Sequence, residues 1–403
     1  MAAAGVRPGS ARHDLWLLTA GLGVSTAGDA LSLVALLLRL RPEGTGWVAA
    51  LLAAQLIPMV VLAPVVGHLV DRFETRRVLL IAVCGQAAVA IPLAFATAPA
   101  LTIGLFLVLG MFNATVRPAT NALVPAIVGE ERSTQGYSRV ALGQNLGFIV
   151  GPALGGVLTG AFGSKTALLI DAGTFVVLAG TCFLLRARRE PATEAEEHVS
   201  RRAQARAGFD VLWDDRVLRV VLAVSAISIA CAVLDNVAAP FRFIDQLGTT
   251  STGYGVYLTL WGVGALAGSQ VPPRIPVALE RYVPAAGNLL CSLGIAGIGA
   301  APTVAVAFLA SAAGGVGNGM ANVSQNALIG KRVPEAQRGR AFAANSAVMQ
   351  SATGIGTAAA GPLVAWLAAD VAMMVFGLLG AVVAAVGLVA LGVGRSARVG
   401  VTP

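Results

Sequence analysis

Twelve apolar runs decide what this chain can fold into. They lie at roughly 15–38, 47–70, 78–97, 101–123, 140–162, 166–185, 218–240, 254–272, 283–300, 303–329, 342–367 and 371–393. About 20 apolar residues cross the roughly 30 Å hydrocarbon core of a bilayer. Lipid offers backbone groups no hydrogen-bond partner, so only helices and closed β-barrels span it. A barrel needs strands of alternating polarity. These runs are continuously apolar, and helices follow. The composition agrees: 56% of the residues are hydrophobic and 12% charged, against about 45–50% and about 25% in soluble domains. The 48 glycines, costly in soluble helices, let membrane helices approach closely. The first run follows Arg7 and Arg12 and contains Asp29. It is longer than a signal-peptide core and has no cleavage site before the next run, so it is expected to be a retained helix. Cys84, Cys182, Cys231 and Cys291 all fall inside predicted helices. That argues for buried thiols and against a disulfide or zinc framework.

A net charge of +8 would suit a nucleic-acid partner, but its placement speaks for membrane topology. With both termini cytoplasmic, 23 of the 28 basic residues fall on that side. Arg39, Arg41, Lys165 and Arg242 lie outside, and Arg117 lies within a helix. This is the positive-inside bias of a multi-pass membrane protein, and no nucleic-acid partner is implied. Only two of the basic residues are lysines, while Ala and Gly are abundant. That is the signature of a GC-rich bacterial genome, so the expected location is a bacterial plasma (inner) membrane.

The longest polar stretch, 186–216, separates the sixth and seventh runs and mixes charge like a solvated linker. Near its end, Phe209, Leu212, Trp213 and Val217 share one helical face, which predicts a short interfacial helix. The organisation expected is a six-helix bundle over 1–185, a linker over 186–216 and a second six-helix bundle over 217–403. The halves repeat. "NALVPAIVGE" from Asn121 and "NALIGKRVPE" from Asn326 agree at five of ten positions, 205 residues apart. Asp29 matches Asp235 at nearly the same offset. Repeats of the same orientation imply two pseudo-symmetric bundles, as in transporters that bind their substrate at mid-membrane.

Between the second and third runs lies "GHLVDRFETRR", residues 67–77, with five charges among the seven residues from Asp71 to Arg77. Topology explains the arginines but not Gly67 or Asp71. A glycine permits close helix approach, and an anion gains about 0.3–1 kcal/mol at a helix N-terminus. Gly67, Asp71, Arg72, Arg76 and Arg77 resemble the loop signature G-x-x-x-D-R-x-x-x-R-R of the major facilitator superfamily at every keyed position. The resemblance covers the whole chain. It implies the MFS fold, an all-α membrane protein of twelve transmembrane helices. It also implies that this loop is a conformational latch, in which Arg72 and Arg76 reach the other half. The second-half counterpart from Gly268 is degraded and lacks the Asp.

In the fifth run, Gly147, Gly151 and Gly155 recur every four residues and so line one helix face. Pro152 removes a donor and would bend the helix. With Gly156, these residues resemble the superfamily's antiporter motif, G-x-x-x-G-P-x-x-G-G. The resemblance implies proton-coupled export and packing of this helix against the second half. The eleventh run carries a weaker echo at Gly356, Gly361 and Pro362.

Ionisable groups inside a membrane are functional candidates by default. Asp29 stands about 15 Å from Arg39 along its helix, at about 1.5 Å per residue, hence near the middle. The stretch "STAGDALSLVAL" resembles the first helix of the macrolide-efflux and enterobactin-exporter branch, and Asp29 becomes the proton-coupling candidate. Arg117, in the fourth run, is its candidate partner. Asp171 lies near Lys165 and Asp235 near Arg242, as outer-end ion pairs or packing groups. Gln55, Asn113, Gln144, Asn145, Asn236, Asn322 and Gln325 are the uncharged candidates for lining a substrate cavity, with interhelical hydrogen bonding the competing role. The expected protein is a monomeric secondary transporter with a small amphipathic substrate and protons as its partners. It would use no cofactor or metal. The competing function is an importer or uniporter of a metabolite. An intramembrane enzyme finds no motif: His13, His68 and His198 stand without partners, and there is no H-E-x-x-H.

Overall fold

A computed structural model describes residues 8–187 and 209–392. All regular elements among the described residues are helical. The first six runs become α1 (Pro8–Leu40), α2 (Thr45–Val61), α3 (Ala63–Arg72), α4 (Thr75–Phe95), α5 (Pro99–Val128) and α6 (Ser133–Leu184). The last six become α7 (Arg216–Ala232), α8 (Leu234–Phe241), α9 (Ser251–Ser269), α10 (Val283–Ala300), α11 (Val304–Arg332), α12 (Glu335–Leu367) and α13 (Ala369–Gly392). Among the described residues, eight helices are long and apolar enough to cross a membrane by length and composition, α6 being counted once. Val382, Val386 and Val389 of α13 turn 59–66% of their surface outward, which suits lipid and not water.

Four runs depart from expectation. The second is broken at Leu62 between α2 and α3, because Pro64 in the first turn of α3 has no N–H to continue the ladder. The seventh divides into α7 and α8, and Pro240 of α8 precedes a π-helical turn over Arg242–Gln246. The fifth and sixth are joined with almost no loop. Only Gly163 leaves helical geometry within α6 (φ 80°, ψ 162°) and divides it into arms over 133–162 and 164–184. Pro152 leaves its arm helical. Of the four cysteines, Cys84 is exposed and the other three are buried.

The chain divides into two compact units, residues 1–195 with 250–256, and residues 196–249 with 257–403. In the first unit α1 packs against both arms of α6: Leu31 and Ala35 meet Ala167 of the second arm and Leu158 of the first. In the second unit the core gathers Leu218 and Leu222 of α7, Ala285 of α10, Leu328 of α11, Ala344 of α12 and Ala384 of α13. Residues 209–214 are helical, and Leu212 seals into that core. Phe209 and Trp213 stack on each other 5.3 Å apart and stay exposed, so the predicted apolar face is split between core and surface. The rest of the linker, 188–208, lies outside the described residues.

Asp215 caps α7, accepting from the backbone N–H groups of Val217 (2.8 Å) and Leu218 (3.0 Å), and pairs with Arg332 at 2.7 Å. Partial burial alone would raise its pKa. The Leu218 N–H, the Arg332 guanidinium and the Val217 N–H outweigh that and hold the carboxyl below its usual range.

The internal repeat is present in the backbone. The positive-φ residues among those described are Gly44, Gly129, Gly163, Gly248 and Ala368. Gly248 follows Gly44 by 204 residues, and Ala368 follows Gly163 by 205. Arg39 and Arg242 form a third pair. Arg39 donates to the carbonyls of Leu93, Ala94 and Ala96 at the end of α4. Arg242 donates to those of Ile298 and Ala301 at the end of α10. A helix leaves its last four carbonyls without intrahelical partners, and each half answers with an arginine at the equivalent place.

Candidate functional site

The glycine face of α6 is the site's scaffold. A Cβ on Gly143 would stand 2.7 Å from the Thr19 carbonyl oxygen, one on Gly151 2.5 Å from that of Ala27, and one on Gly155 2.8 Å from that of Leu31. Gly147 presses as closely on Gly23. These partners advance four residues at a time along α1, so two glycine-bearing helices lie backbone to backbone. Gly147, Gly151 and Gly155 therefore pack against α1 within their own bundle, while Pro152 and Gly156 of the same motif meet Gly255 of α9. Gly156, on the neighbouring face, meets Ser251 and Gly255, which belong to the segment 250–256 that groups with the first unit. Pro152 is buried.

The other side of α1 carries the acid. Asp29 is part-buried. The side-chain amide of Asn113 on α5 hydrogen-bonds to it, and Asp171 of the second α6 arm is near enough for its charge to bear on it. Asp171 is buried. The Ser32 hydroxyl donates to it at 2.5 Å and the Thr174 hydroxyl at 3.1 Å. Gly28 leaves room for Asp171 and Thr174. Sequence separation had suggested Lys165 as the cation for Asp171, but the Lys165 ammonium lies 4.1 Å from the centre of the Phe95 ring. Arg117 is exposed on α5 and forms no ion pair with Asp29. Among the described residues, two carboxylates thus share a site with hydroxyls and an amide but no cation. Spacing within a single helix could not show Asp171 and Ser32 beside Asp29. The cue available was weak: Ser32 lies three residues beyond Asp29 and so shares its side of α1.

The charged loop is tied into the first unit. Arg76 donates to the carbonyls of Cys182 (2.9 Å) and Phe183 (2.5 Å) at the end of α6, a cap within its own bundle. Arg77 pairs with Glu74 at 2.7 Å. Gly67 sits within α3, Arg72 ends that helix exposed, and the side chain of Asp71 lies outside the described ones.

In the second unit Asp235 is buried, and the Tyr257 hydroxyl donates to it at 2.5 Å. It makes no pair with Arg242. Of the uncharged candidates, Asn113 joins the acid site and Gln144 is part-buried on the first α6 arm. Gln55, Asn145, Asn236 and Asn322 are exposed, and Asn322 donates to Asn318. Gln325 is buried, donates to Asn345 at 2.6 Å, and with Asn345 lines a small cavity among Leu212, Leu218, Leu222 and Ile329 of the second unit.

The sequence profile of the Major Facilitator Superfamily matches residues 15–357. The chain belongs to that superfamily. It is therefore a multi-pass membrane transporter and not an enzyme. Relatives include the multidrug efflux pump Tap of Mycobacterium bovis, 27% identical over 88% of each chain. The enterobactin exporter EntS of Citrobacter koseri is 28% identical over 68% of this chain and 66% of its own. The crystal structure of the nucleoside transporter NupG superposes with a TM-score of 0.73, covering 94% of this chain and 99% of that one at 15% identity. That likeness speaks for the fold alone.

Proposed function

We propose that this facilitator exports a small amphipathic compound, such as a drug, antibiotic or secondary metabolite, by proton antiport with alternating access. It would act as a monomer in a bacterial plasma membrane with both termini cytoplasmic. The observation that carries the proposal is Asp29, part-buried at mid-span and facing Asn113 and Asp171, with no ion-pair partner among the described residues. An unpaired ionised carboxylate at that depth costs about 2.5–3.5 kcal/mol even on insertion scales. A proton removes that cost and is released when the site opens to water. Asp29 is the coupling residue in this scheme, and Asp171, Ser32 and Asn113 set its surroundings. Arg117 is not its partner. The relatives named as efflux pump and exporter support the outward direction. The glycine face supports it too, because a tightly sealed α1–α6 pair holds the acid away from uncontrolled leak. Gly67, Asp71, Arg72, Arg76 and Arg77 serve as the latch, with Arg76 anchoring it to the end of α6.

The test uses everted vesicles loaded with an inside-acid pH gradient and ethidium as the probe, beside growth against an antibiotic panel. Ethidium uptake that follows the gradient in wild type and is lost in Asp29→Asn is expected. Uptake indifferent to the gradient sinks proton antiport and favours an importer or uniporter. Equal resistance in both strains removes Asp29 from the mechanism.

A further inference from the structure

The second unit holds a buried acid that the proposed function leaves idle. Asp235 of α8 is 5% exposed. Its Oδ2 accepts from the Tyr257 hydroxyl at 2.5 Å. Its Oδ1 is enclosed and has no hydrogen-bond partner. Tyr257 is fixed in turn. Its ring stacks on Phe243 with 4.4 Å between centroids, and its carbonyl accepts from Ser311 at 3.0 Å.

Among the described residues, no neighbouring helix brings a cation to Asp235. On α9 the titratable neighbour is Tyr257. On α10 it is Cys291, which Asn318 of α11 also reaches. α12 has no titratable residue between Arg340 and its end. On α13 the acid Asp370 takes a hydrogen bond from Gln246. On α7 the arginines Arg216 and Arg219 stand in the first turn, and Cys231 near the end. Arg242, seven residues along the chain from Asp235, gives its donors to Gln246 and to the carbonyls of Ile298 and Ala301. A buried ionised carboxylate with neither a cation nor a second donor is costly, and a group so placed neutralises instead. A carboxylic acid removes the larger cost, because it carries no charge and its Oδ2 still accepts from Tyr257.

We propose that Asp235 is a second proton-binding site, built into the second unit by Tyr257. Asp235 follows Asp29 by 206 residues, nearly the offset that relates Gly163 to Ala368 and Arg39 to Arg242. Each half then carries an acid at the equivalent place, surrounded by hydroxyl or amide donors. The proposal deepens the proton-coupled function above and rests on it for its role in transport. The binding of the proton itself can be tested apart from it.

The experiment is infrared difference spectroscopy on the full-length protein in lipid, following the carbonyl stretch of protonated carboxylic acids as pH rises. Asp235→Asn should remove one such band, and Asp29→Asn should leave that band in place. Tyr257→Phe should keep the band and shift it, because the hydrogen bond to Oδ2 is gone. In gradient-driven ethidium transport, Asp235→Asn should lose one order in proton concentration. An unchanged band in Asp235→Asn overturns the proposal. If that variant does not fold, an unshifted band in Tyr257→Phe overturns it equally. Failure of the Asp29 mechanism would show as Asp29→Asn transporting like wild type, with the Asp235 band unaffected.

Discussion

Replacing Ala368 with glycine should stabilise this protein. Ala368 joins α12 to α13 at φ 65° and ψ 158°. This is the region that glycine alone enters freely, and a side chain held there costs about 1–3 kcal/mol. Its counterpart, Gly163, adopts φ 80° and ψ 162° and is already glycine. The new glycine loosens the unfolded chain and gives back about 0.4–1 kcal/mol, so the net gain should be about 0.5–2 kcal/mol. For a unit of this size each kcal/mol shifts Tm by about 2–4 °C, so the expected rise is about 1–8 °C. Gly163→Ala should lower Tm by a similar amount. Nothing lies within 4 Å of a Cβ built on Gly163, so its loss would report backbone strain without a clash. Three of the four cysteines are buried, so a thiol-reactive dye reads unfolding directly in a Cys84→Ser background. Ala368→Gly that melts with or below the parent, with Gly163→Ala neutral, would refute the argument from strain.

Other outcomes follow from the packing and the caps. Gly147→Ala and Gly151→Ala force α1 away from α6 and should cost about 1–3 kcal/mol each as overpacking. Gly173→Ala on the same helix meets nothing and should be neutral or better in the same melt. Arg39→Ala leaves the carbonyls of Leu93, Ala94 and Ala96 without that donor and should lower Tm, by about 1.5–3 kcal/mol for charged hydrogen bonds of this kind. Asp215→Ala removes a helix cap and should cost about 1 kcal/mol. Because the folded carboxyl lies below its ordinary value of 3.8, its contribution is full above that pH and is lost as pH falls through the lower folded value. The wild-type-to-variant difference in Tm should therefore vanish in acid. Gln325→Leu strands Asn345 and should cost about 1–3 kcal/mol, while replacing both with Leu should recover most of it.

The spans were legible because lipid imposes one requirement, continuous apolar length, and the sequence writes it plainly. Breaks within them were legible only in part. Pro64 interrupts the helical ladder for a reason carried in its own ring, whereas the arm around Pro152 keeps helical dihedrals. The repeat was visible in ten residues around Asn121 and Asn326, and the structure extends it to backbone conformation and to paired arginine caps. Of the two roles open to Asp171 and Asp235, the ion pair failed, because it chose partners by counting along one helix. Lys165 was matched to Asp171 and Arg242 to Asp235, but Lys165 lies on Phe95 and Arg242 on the end of α10. The glycine face of α6 shows the same limit. Its four-residue period was real, but the period is a property of α6 alone and says nothing of which helix answers it.

The helix that answers it is α1, and this joins the two strongest sequence signals into one mechanical element. Gly23, Ala27 and Leu31 face the first arm of α6, while Gly28 and Ser32 face Asp171 on the second. Asp29 lies between these contacts in the sequence. With contacts this close, α1 cannot turn or slide to rearrange Asp29 without disturbing the glycine face, since a shift of one residue would bring side chains onto the Gly147 and Gly151 backbone. Under the proposed antiport, proton loading at Asp29 and the seal along α6 are then two loads on one rigid rod. A Cβ at Gly151 should accordingly disturb both. It should lower the melting temperature and also weaken the pH-gradient dependence of ethidium uptake, although Gly151 touches neither proton nor substrate. If Gly151→Ala lowers stability while the gradient dependence stays intact, the two functions of α1 are separable and the coupling must run through another helix.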